Sequence, residues 1–275
     1  MSCEHGGNDV PEPYRRLFAS DSGRDALEGH RGWDAGAAAL ARALAEKLGA
    51  PLVMQSVSRL LVECNRSAEH RALWSEFSRT LGEQDKAALI DRYWRPHRDA
   101  VRARIAEAPV GVVVVHLGVH TFTPVWKGRP RPTEIGLLFD PRRPRERRIA
   151  VEWRRALLPS LGPNPPRIHL NLPYRGWTDG LTTTLRAELS EDRYVGFELE
   201  VSQRIVPLPE ELVDRIAEGL RSACLLSRPE TRAGLDMRAG PDMQGGPDMQ
   251  GGPDMRGGAE TRGGPDDRAG PDTPS

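Results

Sequence analysis

Blocks of apolar residues alternate with amphipathic and polar stretches along the first 227 residues, and this pattern predicts alternating strands and helices. The segment 110–120 contains four consecutive valines, which is typical of a central parallel strand covered on both faces. Further strands are predicted at 51–62, 133–140, 167–172 and 194–201. Helices are predicted at 34–50, 67–107, 149–160, 179–189 and 209–226. This alternation predicts an α/β fold with three layers, a mainly parallel mixed sheet with helices on both faces.

The segment 34–50 carries the clearest helix signals. Leucines recur at every fourth position from Leu40, and Gly49 is the residue type that commonly ends a helix. Asp34 stands where an N-cap is expected, because its side chain can accept a hydrogen bond from the first turn. The sequence therefore leaves two roles open for Asp34, the cap of this helix or a functional carboxylate.

From Ala233 onward the chain repeats a hexapeptide with small errors, in units such as AGPDMQ and GGPDMQ. Glycine, proline and aspartate dominate the repeat, and its few apolar side chains cannot form a core. We therefore expect residues 228–275 to form a disordered tail and residues 1–227 to form one domain of ordinary size.

The charge balance argues against two classes of partner. Lysine and arginine together number 39, aspartate and glutamate also number 39, and the formal net charge is zero. A basic excess is the usual sign of nucleic-acid or membrane-surface binding, so we expect neither partner. No apolar run approaches the roughly 18 residues of a membrane span, and no signal-peptide pattern opens the chain. The three cysteines lack CxxC spacing, which indicates reduced thiols and a cytoplasmic protein.

Polar residues cluster where predicted strands end, and the active sites of mainly parallel sheets lie at such ends. The clusters are His116 with His120, Asn65 with Arg66, Glu198 with Glu200, and His5 and Asp34 nearer the N-terminus. Glu198 and Glu200 are two residues apart on a predicted strand, so their side chains point to the same side. Of His116 and His120, we expect only one to face the site.

The residue types in these clusters indicate a class of chemistry. The sequence holds imidazoles and carboxylates but lacks the GxSxG nucleophile elbow, the P-loop and the GxGxxG dinucleotide fingerprint. Imidazoles and carboxylates without an activated serine or cysteine are typical of metal-assisted hydrolases. Each residue also has a structural interpretation: a loop histidine can be a hydrogen-bonding partner, Arg66 a surface ion pair, and Glu200 a helix cap.

Six motifs together resemble the N-formylglutamate amidohydrolase family in their order and approximate spacing. They are SCEHGGNDVP, HRGWDAGAAALA, SRLLVECNR, HTFTPVWKGRPRPTEIGLLFD, NLPYRGWTDG and GFELEVSQ. The resemblance is strongest to the predicted N-formylglutamate amidohydrolase branch and covers residues 2 to about 226. It implies a phosphorylase/hydrolase-like α/β fold with one catalytic zinc ion, as in the zinc carboxypeptidases and aspartoacylases that the family is similar to.

The resemblance implies that His5 and His120 are two zinc ligands. Zinc carboxypeptidases place a glutamate three residues after the first histidine, but Asn8 occupies that position here. We therefore take Asp34 as the candidate for the third ligand, with Glu4 as the alternative.

The resemblance also implies catalytic and substrate-binding residues. Glu200 resembles the general base of the family, and Glu198, on the same side of its strand, is the alternative. Arg66 is expected to bind a substrate carboxylate or polarise the scissile carbonyl, and Asn65 to add a hydrogen bond. Two further arginines are candidates for binding a dicarboxylate product such as glutamate, although at least one of them is expected to be a solvated charge: Arg129 and Arg131.

The resemblance therefore implies a zinc-dependent hydrolase of a linear amide bond in an N-acyl amino acid, a small-molecule substrate. N-formyl-L-glutamate, hydrolysed to formate and glutamate, is the substrate that it suggests. The alternative is a catalytically inactive scaffold or binding module that retains the hydrolase fold. Almost no chain precedes His5 to form the strand that the family has there, so we expect the true start of the reading frame to lie upstream of Met1.

Overall fold

The computed structural model describes residues 1–158 and 165–227. These residues all belong to the first of the two units into which the chain divides, Met1–Asp236. The repeat tail predicted at 228–275 and its predicted disorder lie outside the described residues, so the domain boundary stays a prediction.

A six-stranded sheet forms the centre of the described fold. The strands in chain order are β1 (Ser2–Cys3), β2 (Val53–Met54), β3 (Val114–Phe122), β4 (Val125–Trp126), β5 (Arg129–Pro130), β6 (Ile135–Leu138), β7 (Ile168–Leu170) and β8 (Tyr194–Ser202). The sheet has the order β2-β1-β3-β8-β6-β7, while β4 and β5 form a separate antiparallel hairpin. Its neighbouring strands are parallel except β8 and β6, which confirms the predicted mainly parallel mixed sheet.

Helices surround the sheet. They are α1 (Asp21–Glu28), α2 (Ala37–Leu48), α3 (Glu83–Leu89), α4 (Arg95–Ala106), α5 (Pro144–Leu157), α6 (Leu181–Glu188) and α7 (Glu210–Leu226), with a 3-10 helix at Glu12–Phe18 and a π-helical segment at Ile90–Trp94. The α/β class is therefore confirmed. Within the described ranges, no helix combines the length and the apolar character needed to cross a membrane.

The two longest strands, β3 and β8, lie side by side at the centre and sort their residues onto two faces. Odd-numbered residues such as Leu117 and Phe197 belong to the main apolar cluster, to which α2, α5 and α7 contribute. Even-numbered residues include all the histidines and glutamates of these strands, and Tyr194 among them packs with residues of α4 and α6. Because side chains alternate along a strand, this parity places every such histidine and glutamate on one face.

The segment 51–62 is not the long strand that its apolar run predicts. Only Val53–Met54 pairs with the sheet, as β2, and the chain then turns. The backbone amides of Ser58 and Arg59 donate to the carbonyl oxygens of Asp9 and Gly32 rather than to a neighbouring strand. The apolar side chains that follow belong to a second cluster outside the sheet, which explains why the run is apolar.

The segment 67–107 is helical only in its second half. Residues 67–82 form turns, in which the hydroxyls of Ser75 and Ser78 accept hydrogen bonds from the backbone amides of Phe77 and Ser75. Such local side-chain bonds compete with helix formation, so α3 begins only at residue 83.

Asp34 is not the cap of α2. The helix begins at Ala37, and its N-cap is Gly36, whose φ of 85° is a conformation that glycine adopts without strain. A Cβ atom at Gly36 would also lie 2.2 Å from Cγ1 of Val206. The structural interpretation of Asp34 as an N-cap was therefore wrong, and its carboxylate is available for other contacts.

A short strand does precede His5. β1 lies inside the sheet between β2 and β3, and the amide of Gln55 donates to the carbonyl oxygen of Cys3 at 2.9 Å. This pairing fixes the backbone two residues before His5. The expected upstream start of the reading frame stays a prediction.

His116 forms a buried network on the inner part of β3. Its Nε2 lies 2.8 Å from the Ser2 hydroxyl, and its Nδ1 lies 2.8 Å from the Tyr194 hydroxyl. Burial lowers the pKa of His116 to about 3. Of the two histidines of this strand, His116 is thus the one that does not join His5 and Asp34 in the group of side chains described below.

We predict that His116 makes the fold sensitive to acid. Between about pH 6.5 and pH 3 the ring is neutral in the folded protein and protonated in the unfolded chain, so folding stability falls as the pH falls. Relative to His116→Gln, the wild type should lose up to about 1.4 kcal/mol of unfolding free energy per pH unit in this range. Urea unfolding at several pH values measures this difference. His70→Gln, outside this network, is the control, and parallel pH profiles for all three proteins would contradict the prediction.

Candidate metal centre and adjoining cavity

Two histidines and one aspartate meet at the carboxyl ends of β1 and β3. His5 follows β1 by two residues, His120 lies near the end of β3, and Asp34 lies in the loop before α2. The two Nδ1 atoms are 3.2 Å apart, and Oδ2 of Asp34 lies 3.2 Å from that of His5 and 3.0 Å from that of His120. All three side chains are buried. Two ring nitrogens and a carboxylate oxygen thus converge on one point.

Each of the two histidines has a glutamate at its other ring nitrogen. Nε2 of His5 lies 2.5 Å from Oε1 of Glu63, and Nε2 of His120 lies 3.1 Å from Oε2 of Glu4. The second contact has an ion-pair distance without the alignment of a hydrogen bond. A carboxylate at Nε2 favours a proton there, which leaves the lone pair of Nδ1 pointing at the shared point. Glu4, the alternative third ligand, therefore lies at Nε2 of His120, whereas Asp34 lies at Nδ1 of the same ring.

Arg59 connects Asp34 to the glutamate behind His5. Its Nη1 donates to Oδ1 of Asp34 at 2.9 Å, and its Nε donates to Oε2 of Glu63 at 2.9 Å. With Oδ1 engaged by Arg59, Oδ2 of Asp34 is the oxygen that faces the two histidines. Charge-assisted hydrogen bonds of this kind fix the orientation of both carboxylates.

Neighbouring groups in this centre shift the pKa values of its carboxyls and of His120. Burial alone would raise the pKa of the Asp34 and Glu63 carboxyls, but their contacts with His5 and with the Arg59 guanidinium hold both pKa values well below their usual range. Burial alone would lower the pKa of His120, but its contacts with the Asp34 and Glu4 carboxylates raise it well above its usual value. The site therefore keeps its carboxylates ionised and favours positive charge at the point where the three donors meet.

The donor set fits a zinc ion. Catalytic zinc sites use three protein ligands drawn from histidine nitrogens and carboxylate oxygens, and a group behind each histidine holds the ring in place. Within the described residues, one group of metal-ligating side chains has donor atoms within 4.8 Å of one another, and it consists of His5, Asp34 and His120. A cation at this point would offset the repulsion among three converging lone pairs.

Glu200 lies beside His120 on the neighbouring strand. The two residues are register partners of β8 and β3. The Glu200 side chain is buried, its Oε2 has no hydrogen-bond partner among the described residues, and burial raises its pKa to about 8. Glu198 lies on the same face and accepts a hydrogen bond from the Thr182 hydroxyl at 3.2 Å. Of the two glutamates, Glu200 is the one with a buried oxygen that lacks a partner.

A cavity of about 190 Å³ adjoins these residues. It is bordered by His5, Asp34, Arg59, Asn65, Arg66, Glu198 and Glu200, and by the aromatic rings of Phe122, Trp126 and Tyr174. Nη1 of Arg66 donates to the carbonyl oxygens of Asn65 and Asp179, at 3.0 and 2.6 Å, which fixes the guanidinium at the cavity wall. Oδ1 of Asn65 accepts a hydrogen bond from the amide of Leu181 at 2.8 Å and so anchors the first turn of α6.

The structure does not bring the two remaining arginines into this cavity. Arg129 is exposed on β5 and does not border it. Arg131 borders a neighbouring cleft, where its Nη1 donates to the Tyr174 hydroxyl at 3.1 Å. Their roles in binding a dicarboxylate stay predictions.

Arg59 and Glu63 were not among the residues predicted from the sequence. Both lie within SRLLVECNR, the motif from which only the final Asn-Arg pair was taken. The available signal was the spacing, since opposite charges four residues apart can pair when the chain is helical or turning. The interpretation of 51–62 as a strand concealed that signal.

Comparisons with known proteins agree with the geometry. The sequence profile of the N-formylglutamate amidohydrolase family matches residues 1–206. Among solved structures, the gene product Atu2144 from Agrobacterium tumefaciens is 30% identical in sequence and superposes with a TM-score of 0.66. The match covers 86% of this chain and 90% of that one. No curated protein sequence matches the chain significantly.

We predict that Arg59 stabilises the fold without any metal. Arg59→Met would leave the buried Asp34 and Glu63 carboxylates without their cation, and we expect a loss of about 2–4 kcal/mol in unfolding free energy. Urea unfolding in the presence of a chelator measures the loss. Arg24→Met, which removes an exposed ion pair with Asp21, is the control and should cost less than about 1 kcal/mol. Equal losses in the two variants would contradict the prediction.

Proposed function

This chain belongs to the N-formylglutamate amidohydrolase family, and on that premise we propose a zinc-dependent hydrolase that cleaves the amide bond of an N-acyl amino acid. Family membership supports an amidohydrolase of the N-formylglutamate type. The zinc ion and the substrate, with N-formyl-L-glutamate as the first one to test, are our proposals. The buried thiols of Cys3 and Cys64 fit the reducing cytoplasm, which we propose as its location.

The proposal of a zinc ion rests on one observation. The Nδ1 atoms of His5 and His120 and Oδ2 of Asp34 lie within 3.2 Å of one another, and both histidines have a carboxylate behind them. His5, His120 and Asp34 would hold the ion. When bound, zinc lowers the pKa of water and polarises a carbonyl oxygen. The inactive-scaffold alternative would be favoured by the loss of a ligand or of the base, but the residues proposed for these roles, His5, Asp34, His120 and Glu200, are all present in the chain.

Glu200 is proposed to move the proton. Hydrolysis joins the oxygen of water to the acyl carbon and breaks the bond from that carbon to nitrogen. A cation beside Glu200 would favour its ionised form. The ionised carboxylate accepts the proton that the water loses and passes it to the leaving nitrogen, so the products are the carboxylic acid and the free amino acid. Its unpartnered Oε2, buried at the cavity wall beside His120, supports this role.

Arg66 and Asn65 are proposed to orient the substrate. The bonds from Nη1 of Arg66 to two carbonyl oxygens hold the guanidinium in place, while its other nitrogens remain able to donate to a substrate carboxylate. Asn65 holds the start of α6 and borders the same cavity, where its side-chain amide can donate a further hydrogen bond. A fixed guanidinium of this kind lowers the entropic cost of orienting the amide against Glu200.

We predict one zinc ion per chain, held by His120. Purified full-length protein should contain about one zinc by elemental analysis and should release formate from N-formyl-L-glutamate. His120→Ala should lose both the zinc and the activity, because two ligands hold the ion far less tightly than three. His70→Ala, away from the centre, should retain both. A wild-type protein that takes up no zinc would favour the inactive scaffold.

We predict that Glu198 and Glu200, the two glutamates of β8, have different functions. Glu200→Gln should retain zinc while kcat falls at least about 100-fold, because the amide cannot accept the proton. Glu198→Gln, a matched change on the same face, should lower kcat less than about tenfold. Steady-state kinetics with measured zinc content makes the comparison. The reverse pattern would assign the base to Glu198.

A further inference from the structure

A second cleft adjoins the proposed catalytic cavity. It has a volume of about 440 Å³ and is lined by Trp126, Arg131, Pro132, Thr133, Leu172, Pro173 and Tyr174. Trp126 and Tyr174 border both spaces, so the wall of one continues into the other. The proposed catalytic cavity is rich in charged groups. Among the described residues, this cleft, which we call the aromatic cleft, has Arg131 as its one charged side chain.

The guanidinium of Arg131 is packed among three aromatic rings. Its central carbon lies 5.1 Å from the ring centre of Trp126, 5.1 Å from that of Tyr174 and 5.5 Å from that of Phe122. Its Nη1 also donates to the Tyr174 hydroxyl at 3.1 Å. Cation–π contacts and this hydrogen bond fix the rings relative to one another. The result is a rigid surface with flat faces beside the catalytic cavity.

This surface is exposed. Trp126 is 49% exposed, Leu172 47% and Tyr174 43%, and all three border the aromatic cleft. Large apolar groups grouped beside a polar cavity are characteristic of ligand-binding surfaces. N-formyl-L-glutamate carries no group that would cover these rings, because its acyl part is a single carbon and its side chain is a carboxylate.

We propose that the aromatic cleft binds an aromatic ring carried by an N-acyl amino acid while its amide lies in the catalytic cavity. This inference rests on the proposed function and names its substrate class. A planar ring can stack against Trp126 and against the edge of Tyr174, which is the arrangement that aromatic pairs prefer. The ring can belong to the acyl group or to the amino-acid side chain, and the experiment separates these two sources.

Two matched substrate pairs test the proposal. N-benzoyl-glycine against N-acetyl-glycine places the ring on the acyl group, and N-formyl-L-phenylalanine against N-formyl-L-alanine places it on the side chain. We expect a roughly tenfold preference in kcat/KM for the ring in one of the pairs. Trp126→Leu, which keeps an apolar side chain without a ring, should reduce that preference to about twofold or less.

Trp177→Ala is the matched control, because Trp177 also packs against an arginine, Arg175, but borders neither cavity. It should leave the preference unchanged. No preference in either pair, or a preference that survives Trp126→Leu, would overturn the proposal. The proposal would also be overturned if Trp126→Leu lowered kcat/KM equally for the two substrates of a pair, the one with the ring and the one without.

Binding separates this proposal from the proposed function. Dissociation constants for the same four compounds can be measured by calorimetry in Glu200→Gln protein, with and without Trp126→Leu. If wild type hydrolyses the ringless compounds but shows no ring preference, the proposed function stands and the aromatic cleft fails. If neither these four compounds nor N-formyl-L-glutamate is hydrolysed but ring binding depends on Trp126, the aromatic cleft stands and the proposed function fails.

Discussion

The candidate site depends on the burial of three electron-pair donors that point at one another. Nδ1 of His5, Nδ1 of His120 and Oδ2 of Asp34 lie within 3.2 Å of each other in the protein interior. Such an arrangement is costly unless positive charge lies among the donors. Carboxylates behind both histidines and Arg59 beside Asp34 fix which atoms face inward. We propose zinc because a bound cation would supply the positive charge that these donors require.

The sheet supplies the positions that the chemistry needs. β3 and β8 are parallel neighbours, and their register sets His120 beside Glu200. Strand parity places both side chains on the same face, while the odd-numbered residues of the two strands form the main core. The short strand β1 brings His5 to the same edge from the other side of β3. One face of this pair of strands therefore packs into the core, and the other carries residues of the proposed site.

The fold class and most residues of the candidate site could be predicted from the sequence, but the contacts between distant loops could not. The valine-rich run identified β3, and the spacing of Glu198 and Glu200 gave their common face. Asp34 was ambiguous because a cap and a ligand look alike in sequence, and only Gly36 at the start of α2 excludes the cap. Arg59 and Glu63 were missed because their partners lie 25 and 58 residues away, at Asp34 and His5.

Zinc anomalous scattering from crystals of the full-length protein would locate the proposed ion. We expect a single peak bonded to Nδ1 of His5, Nδ1 of His120 and Oδ2 of Asp34, with Glu63 and Glu4 at the Nε2 atoms of His5 and His120. A zinc ion held by other atoms, or crystals grown with zinc that show no peak at this point, would contradict this expectation.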